Sequence, residues 1–385
     1  MHRCALALAP HLVYFTANMS KVPLIVQAVS VPSDILNEAH RQGIIELRVW
    51  NPPKQHGTMG ADRAWVKENL PGAAGFLCIP QVPVDEEVLD WAGPSLKVVS
   101  TISVGVDHID LASCAKRGIK IGHTPSVLND AVADTALLLA MMVSRHIMKA
   151  HAMVRKGEWG TTPTNVQSFV GPEMTGKTIG FLGFGEIGQM IARRLLSFAP
   201  KRILYTTSSP KPLDLQNKAF STLAQDPFLQ CIEKCGCAWP IEMANEPDRA
   251  ALAEKSDFLF IIASLNSNTK HLVDKAFLNK MQPHAILVNV SRGPLVDTNA
   301  LIDVLKNGKI GGAGLDVIEG EPQIPADHPA LDEDLMDRLV LLPHLGSATD
   351  EARSAMIDYS IHNLLGALGL PAKGRTVEMP AELPL

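Results

Sequence analysis

The sequence lacks the surplus of basic residues that is typical of nucleic-acid-binding proteins. Its 35 Lys and Arg residues are outnumbered by 40 Asp and Glu residues, which gives a formal net charge of −5 at pH 7. This composition argues against a dedicated nucleic-acid-binding protein. The chain also has no apolar run of roughly 20 residues, the length that spans a bilayer. Its longest clear apolar run, ALLLAMMV at 136–143, is typical of a buried helix. We therefore expect neither a nucleic acid nor a membrane as a partner.

Cysteine is too sparse for the disulfide framework of a small secreted domain. The chain has six cysteines, and three of them cluster in the stretch CIEKCGC as Cys231, Cys235 and Cys237. A structural metal site needs a fourth ligand, and no further Cys or His lies nearby in the sequence. We therefore expect free thiols, no bound metal and a reducing compartment, with the cytoplasm as the predicted location.

The N-terminal residues lack the density of arginine that is typical of a transit peptide. Residues 1–18 contain Arg3 and no acidic residue, and Met19 directly precedes SKVPLIVQAV, which has the pattern of a first strand. We interpret residues 1–18 as an N-terminal extension. A mitochondrial leader is the alternative interpretation.

Short apolar runs alternate with helical patterns in two series, which predicts parallel sheets covered by helices on both faces. A chain of 385 residues is also more typical of two domains than of one. A long helical pattern at 126–157 separates the two series. The strands of the first series are predicted at 23–29, 44–50, 75–79 and 97–102, and those of the second at 178–183, 202–206, 257–263, 285–290, 311–316 and 338–343.

The fold class predicted from these series is α/β, with two doubly wound parallel-sheet domains. The last helical pattern, at 348–369, follows the second series and is predicted to return to the first domain. Residues 213–250 are long for one connection between strands, so we interpret the segment near 214–247 as an insertion. The predicted domains are a discontinuous substrate domain at 19–123 and 350–385, and a dinucleotide-binding domain at 124–349.

The stretch TIGFLGFGEIG contains a G-x-G-x-x-G motif at Gly183, Gly185 and Gly188, between an apolar strand and an amphipathic helical pattern. In this context the glycines allow a tight turn, close approach of a pyrophosphate and close packing of helix on strand. The N–H groups at the start of the helix, at Glu186 and Ile187, are then available to phosphates. A glycine-rich turn without a ligand is the alternative.

The end of the next strand lacks the acidic residue that reads the ribose of NAD about 20 residues after such a motif. No acidic residue lies between Ile187 and Lys211. Hydroxyl groups and one lysine stand there instead, and these can bind a 2′-phosphate. The sequence therefore predicts NADP (NADPH) as the preferred cofactor. The alternative is a plain turn rich in Ser and Pro, in a protein that uses both NADP and NAD. The candidate contacts are Thr206, Ser208, Ser209 and Lys211.

Three later segments, VNVSRGPLVD, GLDVIEGEP and LLPHLGSAT, place polar residues at the ends of apolar strands. In open α/β sheets these ends line the ligand crevice, so Arg292, the acidic residues of the second segment and His344 should converge. A guanidinium can bind the carboxylate of a 2-keto acid and polarise its keto oxygen. An imidazole can donate the proton that the keto oxygen takes up, and a carboxylate can fix the tautomer of that imidazole.

The order of these motifs resembles the D-isomer-specific 2-hydroxyacid dehydrogenase family, and the resemblance covers the chain from about residue 20. Within the family, the chain is most similar to glyoxylate/hydroxypyruvate reductases. The supporting stretches are KVVSTISVGVDHIDL at 97–111, RGIKIGHTPSVLNDAVAD at 117–134, RILYTTSSPKP and the terminal MPAELPL. The resemblance implies a Rossmann coenzyme domain inserted in a flavodoxin-like substrate domain. It also implies a homodimer, with the helical pattern at 126–157 in the interface.

The resemblance further implies the roles of individual residues. Glu321 rather than Glu319 matches the family's catalytic glutamate, because it lies five residues after Asp316 and just before Pro322. The implied catalytic residues are Arg292, Glu321 and His344; Ser103, Val104 and Gly105 form the implied substrate-carboxylate loop, which acts with Arg292 and His344. The implied cofactor contacts beyond the glycine-rich turn are Ser208, Ser209, Lys211 and Ser264 on the adenosine side and Val290, Asp316 and Gly346 on the nicotinamide side.

The sequence departs from its apparent relatives at Ser208, where such reductases tend to carry arginine. The cysteine-bearing segment near 214–247 has no apparent counterpart in the family, and we assign no function to it. The predicted reaction is NADPH-preferring reduction of glyoxylate or hydroxypyruvate to the D-hydroxy acid. A phosphoglycerate or broad-range 2-keto acid dehydrogenase is the enzymatic alternative, and a cofactor-sensing corepressor or scaffold on the same fold is the alternative from another class.

Overall fold

A computed structural model describes residues 22–52, 59–209, 211–235, 241–372, 375–376 and 379–385. The N-terminal extension predicted at 1–18 lies outside these residues. In the described part of the chain, the strands form a five-stranded sheet, a seven-stranded sheet and a short two-stranded one. Every strand pair in the two larger sheets is parallel. The predicted α/β class with two doubly wound sheets is thereby confirmed.

The first sheet has the strand order β2-β1-β3-β4-β5, the order of flavodoxin-like domains. Its inner strands are short and fully buried, as expected for strands covered by helices on both faces. The strands are β1 (Leu24–Gln27), β2 (Glu46–Val49), β3 (Gly75–Cys78), β4 (Val98–Thr101) and β5 (Lys120–Gly122).

The second sheet has the order β12-β11-β10-β9-β6-β7-β8, in which the strand order reverses between β6 and β9. Ligands of such folds bind at the carboxyl ends of the strands beside this reversal. The strands are β6 (Thr178–Leu182), β7 (Arg202–Thr206), β8 (Glu242–Asn245), β9 (Phe258–Ile261), β10 (Ile286–Asn289), β11 (Gly312–Leu315) and β12 (Leu339–Leu341); β13 (Pro371–Ala372) and β14 (Arg375–Thr376) form the separate pair.

Helices connect the strands, and several begin directly after an Asp or Thr whose side chain accepts a backbone N–H of the first turn, as at Asp62, Asp85 and Thr349. The helices are α1 (Asp34–Arg41), α2 (Arg63–Asn69), α3 (Glu86–Ala92), α4 (Leu111–Arg117), α5 (Asn129–Ser144), α6 (Ile147–Arg155), α7 (Glu186–Leu195), α8 (Ser221–Ala224), α9 (Pro227–Cys235), α10 (Arg249–Lys255), α11 (Lys275–Leu278), α12 (Thr298–Lys306) and α13 (Asp350–Ala367). Short 3₁₀ helices cover Leu196–Phe198, Lys218–Phe220, Gly293–Leu295, Pro329–Leu331 and Glu333–Leu335.

Three features of the chain differ from the sequence prediction. Strand β5 was not predicted. Residues 213–250 are not a single inserted connection, because β8 lies within them and pairs with β7. The helical pattern at 126–157 forms two helices rather than one, since His146 has a left-handed backbone conformation (φ 50°) and bends the chain by 69°. The segment near 214–247 therefore includes two helices, α8 and α9, and strand β8 of the second sheet.

Helix α13 follows the second sheet but packs on the first. The Ser100 hydroxyl of β4 donates to the Ser360 carbonyl of α13 (2.9 Å), and the Asn363 amide donates to the His123 carbonyl (2.9 Å). At Gly75 of β3, an added Cβ would lie 3.0 Å from Leu364. These contacts support the proposed discontinuous first domain, which the second domain interrupts.

No single described helix is both long and apolar enough to cross a membrane, while α5 and α6 pass the length and composition criteria only together, as a bent pair. Among the described residues, no group of three His, Cys, Asp or Glu side chains lies close enough to hold a metal ion. Cys231 is an exposed free thiol, and Cys235 is exposed as well. Cys237, the third member of the cysteine cluster, lies outside the described residues.

Candidate active site

A cleft of about 1130 Å³ lies between the carboxyl ends of the two parallel sheets. The segments after β1, β2, β3 and β4 form one wall, and the loops after β9, β10, β11 and β12 form the other. The cleft therefore occupies the place that the topology reserves for ligands. The predicted residues that line it include the segment 103–105, Ser264, Val290, Arg292, His344 and Gly346, together with Ile187 and Asp316.

The glycine-rich turn has a left-handed residue, a close helix–strand contact and an open position at its three glycines. Gly183 has a left-handed backbone (φ 96°), and a Cβ there would lie 2.7 Å from the Ile262 carbonyl oxygen. A Cβ on Gly188 would lie 3.2 Å from the Gly183 carbonyl oxygen, as expected where a helix packs closely on a strand. A Cβ on Gly185 would have no described atom within 4 Å, so nothing in the described chain obstructs the approach of a phosphate there.

Helix α7 begins at this turn without a side-chain cap, and the N–H groups of Glu186, Ile187 and Gly188 have no hydrogen-bond partner in the described part of the chain. Free N–H groups at a helix start favour an anion. The Glu186 carboxylate does not point simply into solvent, because one of its oxygens accepts hydrogen bonds from Ser126 (2.7 Å) and Asn129 (2.9 Å). These residues fit the pyrophosphate of a dinucleotide.

The end of β7 lies beside the same turn, since the Gly183 N–H donates to the Thr206 carbonyl (3.1 Å). Buried Tyr205 donates its hydroxyl to the Lys211 carbonyl (2.7 Å) and thereby fixes the backbone that carries the Lys211 side chain. Ser208, Ser209 and Lys211 are exposed, and Lys211 forms no ion pair with a described residue. The hydroxyl groups and the ammonium group can therefore meet an anionic ligand.

Arg292 reaches the cleft from a turn that Asn289 builds. The buried Asn289 amide donates to the Arg292 carbonyl (2.9 Å), and its oxygen accepts the Ser291 N–H (3.0 Å). The Arg292 Nε then donates to Asp107 across the cleft (3.0 Å), and Nη1 donates to the Ser291 carbonyl (2.8 Å). This leaves Nη2 available for a ligand.

The segment 104–106, the candidate anion-binding loop, lies against Arg292. A Cβ on Gly105 would collide with the Arg292 Nη2 atom, so a larger residue there would displace the guanidinium. The Val104 carbonyl accepts a hydrogen bond from His123 (3.2 Å), and the Gly105 carbonyl accepts one from the Ser103 hydroxyl (2.7 Å). The N–H groups of 104–106 have no partner within the described residues. Successive free N–H groups of this kind can bind an anion such as a carboxylate beside Arg292.

His344 faces the cleft with its imidazole oriented by Glu321. The distance between His344 Nδ1 and a Glu321 carboxylate oxygen is 2.8 Å, and the other Glu321 oxygen accepts the Ile318 N–H (3.1 Å). Because a carboxylate accepts, Nδ1 must donate, which leaves Nε2 to exchange a proton with a ligand. The Glu321 hydrogen bond orients the imidazole so that Nε2 faces the cleft, the arrangement that general acid–base chemistry needs.

Asp316 is buried and holds the loop that carries His344. Its two carboxylate oxygens accept the N–H groups of Leu345 (2.6 Å) and Gly346 (2.7 Å), and its carbonyl accepts the N–H of His344 (2.9 Å). These bonds fix His344 in a left-handed backbone conformation (φ 57°). A Cβ on Gly346 would lie 2.8 Å from Asp316, which explains the glycine there.

Glu319 has a different partner from Glu321. Its carboxylate lies 3.1 Å from His271 Nε2, in a pair outside the cleft lining. The structure therefore pairs Glu321 with His344, as the sequence spacing predicts. The two His–Glu pairs are similar in distance and chemistry, and only one of them faces the cleft.

The second domain also matches a family model. Residues 137–234 and 241–346 match the NAD-binding domain of the D-isomer specific 2-hydroxyacid dehydrogenases, and these residues make up more than half of the chain. The chain belongs to the D-isomer-specific 2-hydroxyacid dehydrogenase family. The predicted resemblance is confirmed, and the protein is a dehydrogenase that uses a nicotinamide cofactor.

Individual relatives are named for 2-keto acid reduction. The dehydrogenase is 40% identical over 342 residues to a glyoxylate reductase of Thermofilum pendens, covering 88% of this chain and 86% of that protein. It is 37% identical over 320 residues to the human glyoxylate reductase/hydroxypyruvate reductase, covering 83% and 87% respectively.

The dehydrogenase is also similar to solved structures over nearly its whole length. The NADPH-dependent glyoxylate/hydroxypyruvate reductase of Sinorhizobium meliloti, in complex with NADP and malonate, has a TM-score of 0.70 at 29% identity, covering 94% of this chain and 99% of that one. The glyoxylate reductase of Paecilomyes thermophila has a TM-score of 0.73 at 25% identity, covering 95% and 99%.

Several residues that shape the cleft of the dehydrogenase were not identified from the sequence. Asp107 holds Arg292, Asn289 builds its turn, and Tyr205 fixes the Lys211 backbone. Arg353, in the first turn of α13, also lines the cleft, and burial lowers its pKa while nearby Asp316 opposes this effect. The position of Asp107, two residues after Gly105, was the sequence feature that could have identified it. Its partner Arg292, however, lies 185 positions away.

His108, beside the candidate anion-binding loop of the dehydrogenase, is a half-buried histidine. Burial lowers its pKa to about 4; the negative charge of Asp107 opposes this shift, and the positive charge of Arg292 adds to it. Its Nδ1 atom is buried and has no hydrogen-bond partner in the described chain. A proton added to Nδ1 would therefore have no acceptor, so the neutral imidazole is the stable form.

We expect acid to destabilise the dehydrogenase through His108. The unfolded chain binds a proton near its ordinary pKa of 6.5 but the folded chain only near 4. The free energy of unfolding should therefore fall by about 3 kcal/mol as the pH drops from about 7 to about 4. Guanidinium unfolding at several pH values measures this loss. The same measurement on His108→Gln should give a shallower dependence, and identical slopes for both proteins would contradict the assignment.

Proposed function

We propose that the protein is an NADPH-preferring reductase that converts glyoxylate to glycolate and hydroxypyruvate to D-glycerate. One observation carries the proposal: Arg292 lies against Gly105 in a loop whose N–H groups at 104–106 are free, in the same cleft as His344, which pairs with Glu321. This arrangement offers a seat for a carboxylate beside a proton donor. The names of the relatives support the choice of substrates.

In the proposed reaction, each group of the cleft has one role. The N–H groups of the loop at 103–105 and its neighbour Val106 bind the substrate carboxylate, and Arg292 Nη2 polarises the keto oxygen. His344 Nε2 donates a proton to that oxygen, while the hydrogen bond between Nδ1 and Glu321 orients the imidazole. Nicotinamide, when bound, supplies the hydride. Asp316 keeps the His344 loop in place through its backbone hydrogen bonds.

We propose that the glycine-rich turn and the end of β7 hold the cofactor. The N–H groups of Glu186 and Ile187 bind the pyrophosphate. The Thr206 carbonyl accepts the Gly183 N–H and so joins the end of β7 to the glycine-rich turn. The absence of a carboxylate at this strand end removes the group that would repel a 2′-phosphate. The proposed adenosine-side contacts are Ser208, Ser209, Lys211 and Ser264, and the proposed nicotinamide-side contacts are Val290, Asp316 and Gly346.

We expect Lys211→Ala to weaken NADPH binding selectively. Lys211 is the cation of the proposed 2′-phosphate seat, and a hydrogen bond to a charged group contributes about 1.5–3 kcal/mol, so the KM for NADPH should rise roughly 10- to 100-fold. The KM for NADH should change little. Steady-state kinetics with both cofactors at saturating glyoxylate measure the two values.

The matched control is Lys201→Ala, because Lys201 is an exposed lysine just before β7, at the opposite end of the same strand. It removes the same charge without touching the proposed seat. If Lys211→Ala raises both KM values equally, or if Lys201→Ala has the same effect, Lys211 does not read the phosphate.

A panel of 2-keto acids assayed with NADPH and NADH tests the proposed function against its alternatives. The proposal predicts the highest kcat/KM for glyoxylate or hydroxypyruvate with NADPH. Preference for 3-phosphohydroxypyruvate, or equal rates with many 2-keto acids, would favour the phosphoglycerate or broad-range alternative. Cofactor binding without turnover of any keto acid would favour a cofactor-sensing corepressor or scaffold.

We further propose a cytoplasmic homodimer in which helices α5 and α6 form the interface, with a mitochondrial location as the alternative. Large apolar side chains are exposed on these two helices, and such patches are typical of protein–protein contacts. The exposed apolar residues there are Leu138, Met141, Ile147, Met148 and Val154.

A further inference from the structure

A chain of buried and part-buried hydrogen bonds runs from His108 to the candidate anion-binding loop. His108 Nε2 lies 3.0 Å from the Thr101 hydroxyl, which lies 2.9 Å from the Ser103 hydroxyl. The Ser103 hydroxyl in turn lies 2.7 Å from the Gly105 carbonyl oxygen. Thr101 and Ser103 are both buried. None of the three side chains is accounted for by the proposed chemistry at Arg292 and His344.

The direction of every hydrogen bond in this chain follows from counting protons. The Gly105 carbonyl can only accept, so the single hydroxyl proton of Ser103 is donated to it. Ser103 must then accept from Thr101, whose single proton is thereby used. Thr101 must in turn accept from His108, so the imidazole carries its proton on Nε2. This tautomer leaves Nδ1 without a proton, in agreement with its buried position and the absence of an acceptor in the described chain.

The direction of the chain matters for the loop because a carbonyl and the next N–H belong to one planar peptide unit and point in opposite directions. Drawing the Gly105 carbonyl towards Ser103 turns the Val106 N–H away from Ser103. That N–H has no partner among the described residues. Glycine at 105 cannot hold this orientation by sterics, because it has no side chain and its backbone is permissive.

We infer that His108 and Thr101 are positioning residues that orient the substrate-carboxylate loop through Ser103. They act on the carboxylate and do not touch it. Cys78 Sγ lies 3.9 Å from His108 Nε2, but burial raises the pKa of its thiol to about 12, so it adds no charge to the chain. The low pKa of His108 agrees with the neutral imidazole that the chain requires.

This inference rests on the proposed function, and kinetics of three variants test it. Thr101→Val removes the central hydroxyl at nearly constant volume, so Ser103 loses its donor and His108 its acceptor. Thr101→Ser restores the hydroxyl. Thr124→Val is the matched control, because Thr124 is also fully buried near the loop, and its hydroxyl has no partner in the described chain.

The measured quantities are kcat, the KM values for glyoxylate and NADPH, and the inhibition constant of oxamate, an unreactive analogue with a carboxylate. The loss of one net hydrogen bond corresponds to roughly a three- to tenfold change. We expect Thr101→Val to raise the KM for glyoxylate and the inhibition constant of oxamate by about this factor, with the KM for NADPH unchanged. Thr101→Ser and Thr124→Val should both resemble the wild type.

Equal kinetics for Thr101→Val and Thr124→Val would overturn the inference, as would a Thr101→Val effect on kcat and on the KM for NADPH as large as that on glyoxylate. If Thr101→Val does not fold, His108→Leu tests the other end of the chain by the same measurements. A wild-type protein that turns over no 2-keto acid would instead refute the proposed function, so the two failures are distinguishable.

Discussion

We expect His344→Gln to lower kcat by about 10²- to 10⁴-fold, the contribution that a positioned general acid typically makes. Glutamine keeps a polar side chain at this position but cannot donate a proton to the keto oxygen and regenerate it in each cycle. The KM for NADPH should change little, because the glycine-rich turn and the end of β7 do not contact His344. Steady-state kinetics with glyoxylate and NADPH measure both values.

The chain offers a closely matched control for this variant. His271 pairs with Glu319 at 3.1 Å, as His344 pairs with Glu321 at 2.8 Å, and the side chains of the two histidines are 38% and 33% exposed. Only His344 lines the cleft. His271→Gln should therefore retain kcat within a few-fold of the wild type. Near-wild-type activity of His344→Gln would contradict its role as the acid, and an equal loss in both variants would show a structural effect.

We expect Arg292→Ala to lower kcat/KM for glyoxylate by about 10²- to 10⁴-fold, because the loss of a partly buried charged group costs 2–5 kcal/mol or more. The substrate carboxylate would lose its counter-charge, the keto oxygen its polarising group and Asp107 its partner. Arg292→Lys retains the charge but not the planar fork of donors, so it should recover only part of the activity. The substrate dependence of the rate at saturating NADPH measures both variants.

Arg193→Ala is the control for the structural effect of losing an arginine–aspartate ion pair outside the cleft. Arg193 contacts Asp226 at 3.3 Å, and its side chain is 22% exposed, the same fraction as that of Arg292. It lies on helix α7, and it does not line the cleft. A comparable loss of kcat/KM in Arg193→Ala would assign the effect to folding. Full activity of Arg292→Ala would contradict the proposed substrate site.

The sequence predicts the inner strands well because burial on both faces requires continuous apolar runs. Strands β5 and β8 were missed, and both lie at the edge of a sheet. The β8 sequence EMAN is only half-buried and carries no apolar run. The break between α5 and α6 was missed because His146 adopts a left-handed backbone that its neighbours do not signal.

The sequence likewise predicts some residues of the candidate site and misses others. Arg292, Glu321 and His344 are identifiable because each stands at the end of an apolar strand in a recognisable motif. The residues that hold these side chains in place are not identifiable from the sequence. Asp107, for example, accepts a hydrogen bond from Arg292 but lies 185 positions away. The orientation of the Gly105 peptide likewise depends on a tautomer of His108, which no sequence pattern records. Tertiary contacts between distant segments decide these features.

The configuration of the glycerate that the purified protein forms from hydroxypyruvate and NADPH tests the central claim most directly. A 2-keto acid bound by the 103–105 loop and Arg292, with His344 as the acid, should give a single product. The account predicts D-glycerate, formed faster with NADPH than with NADH. Formation of L-glycerate, of a racemic mixture or of no glycerate at all would contradict it.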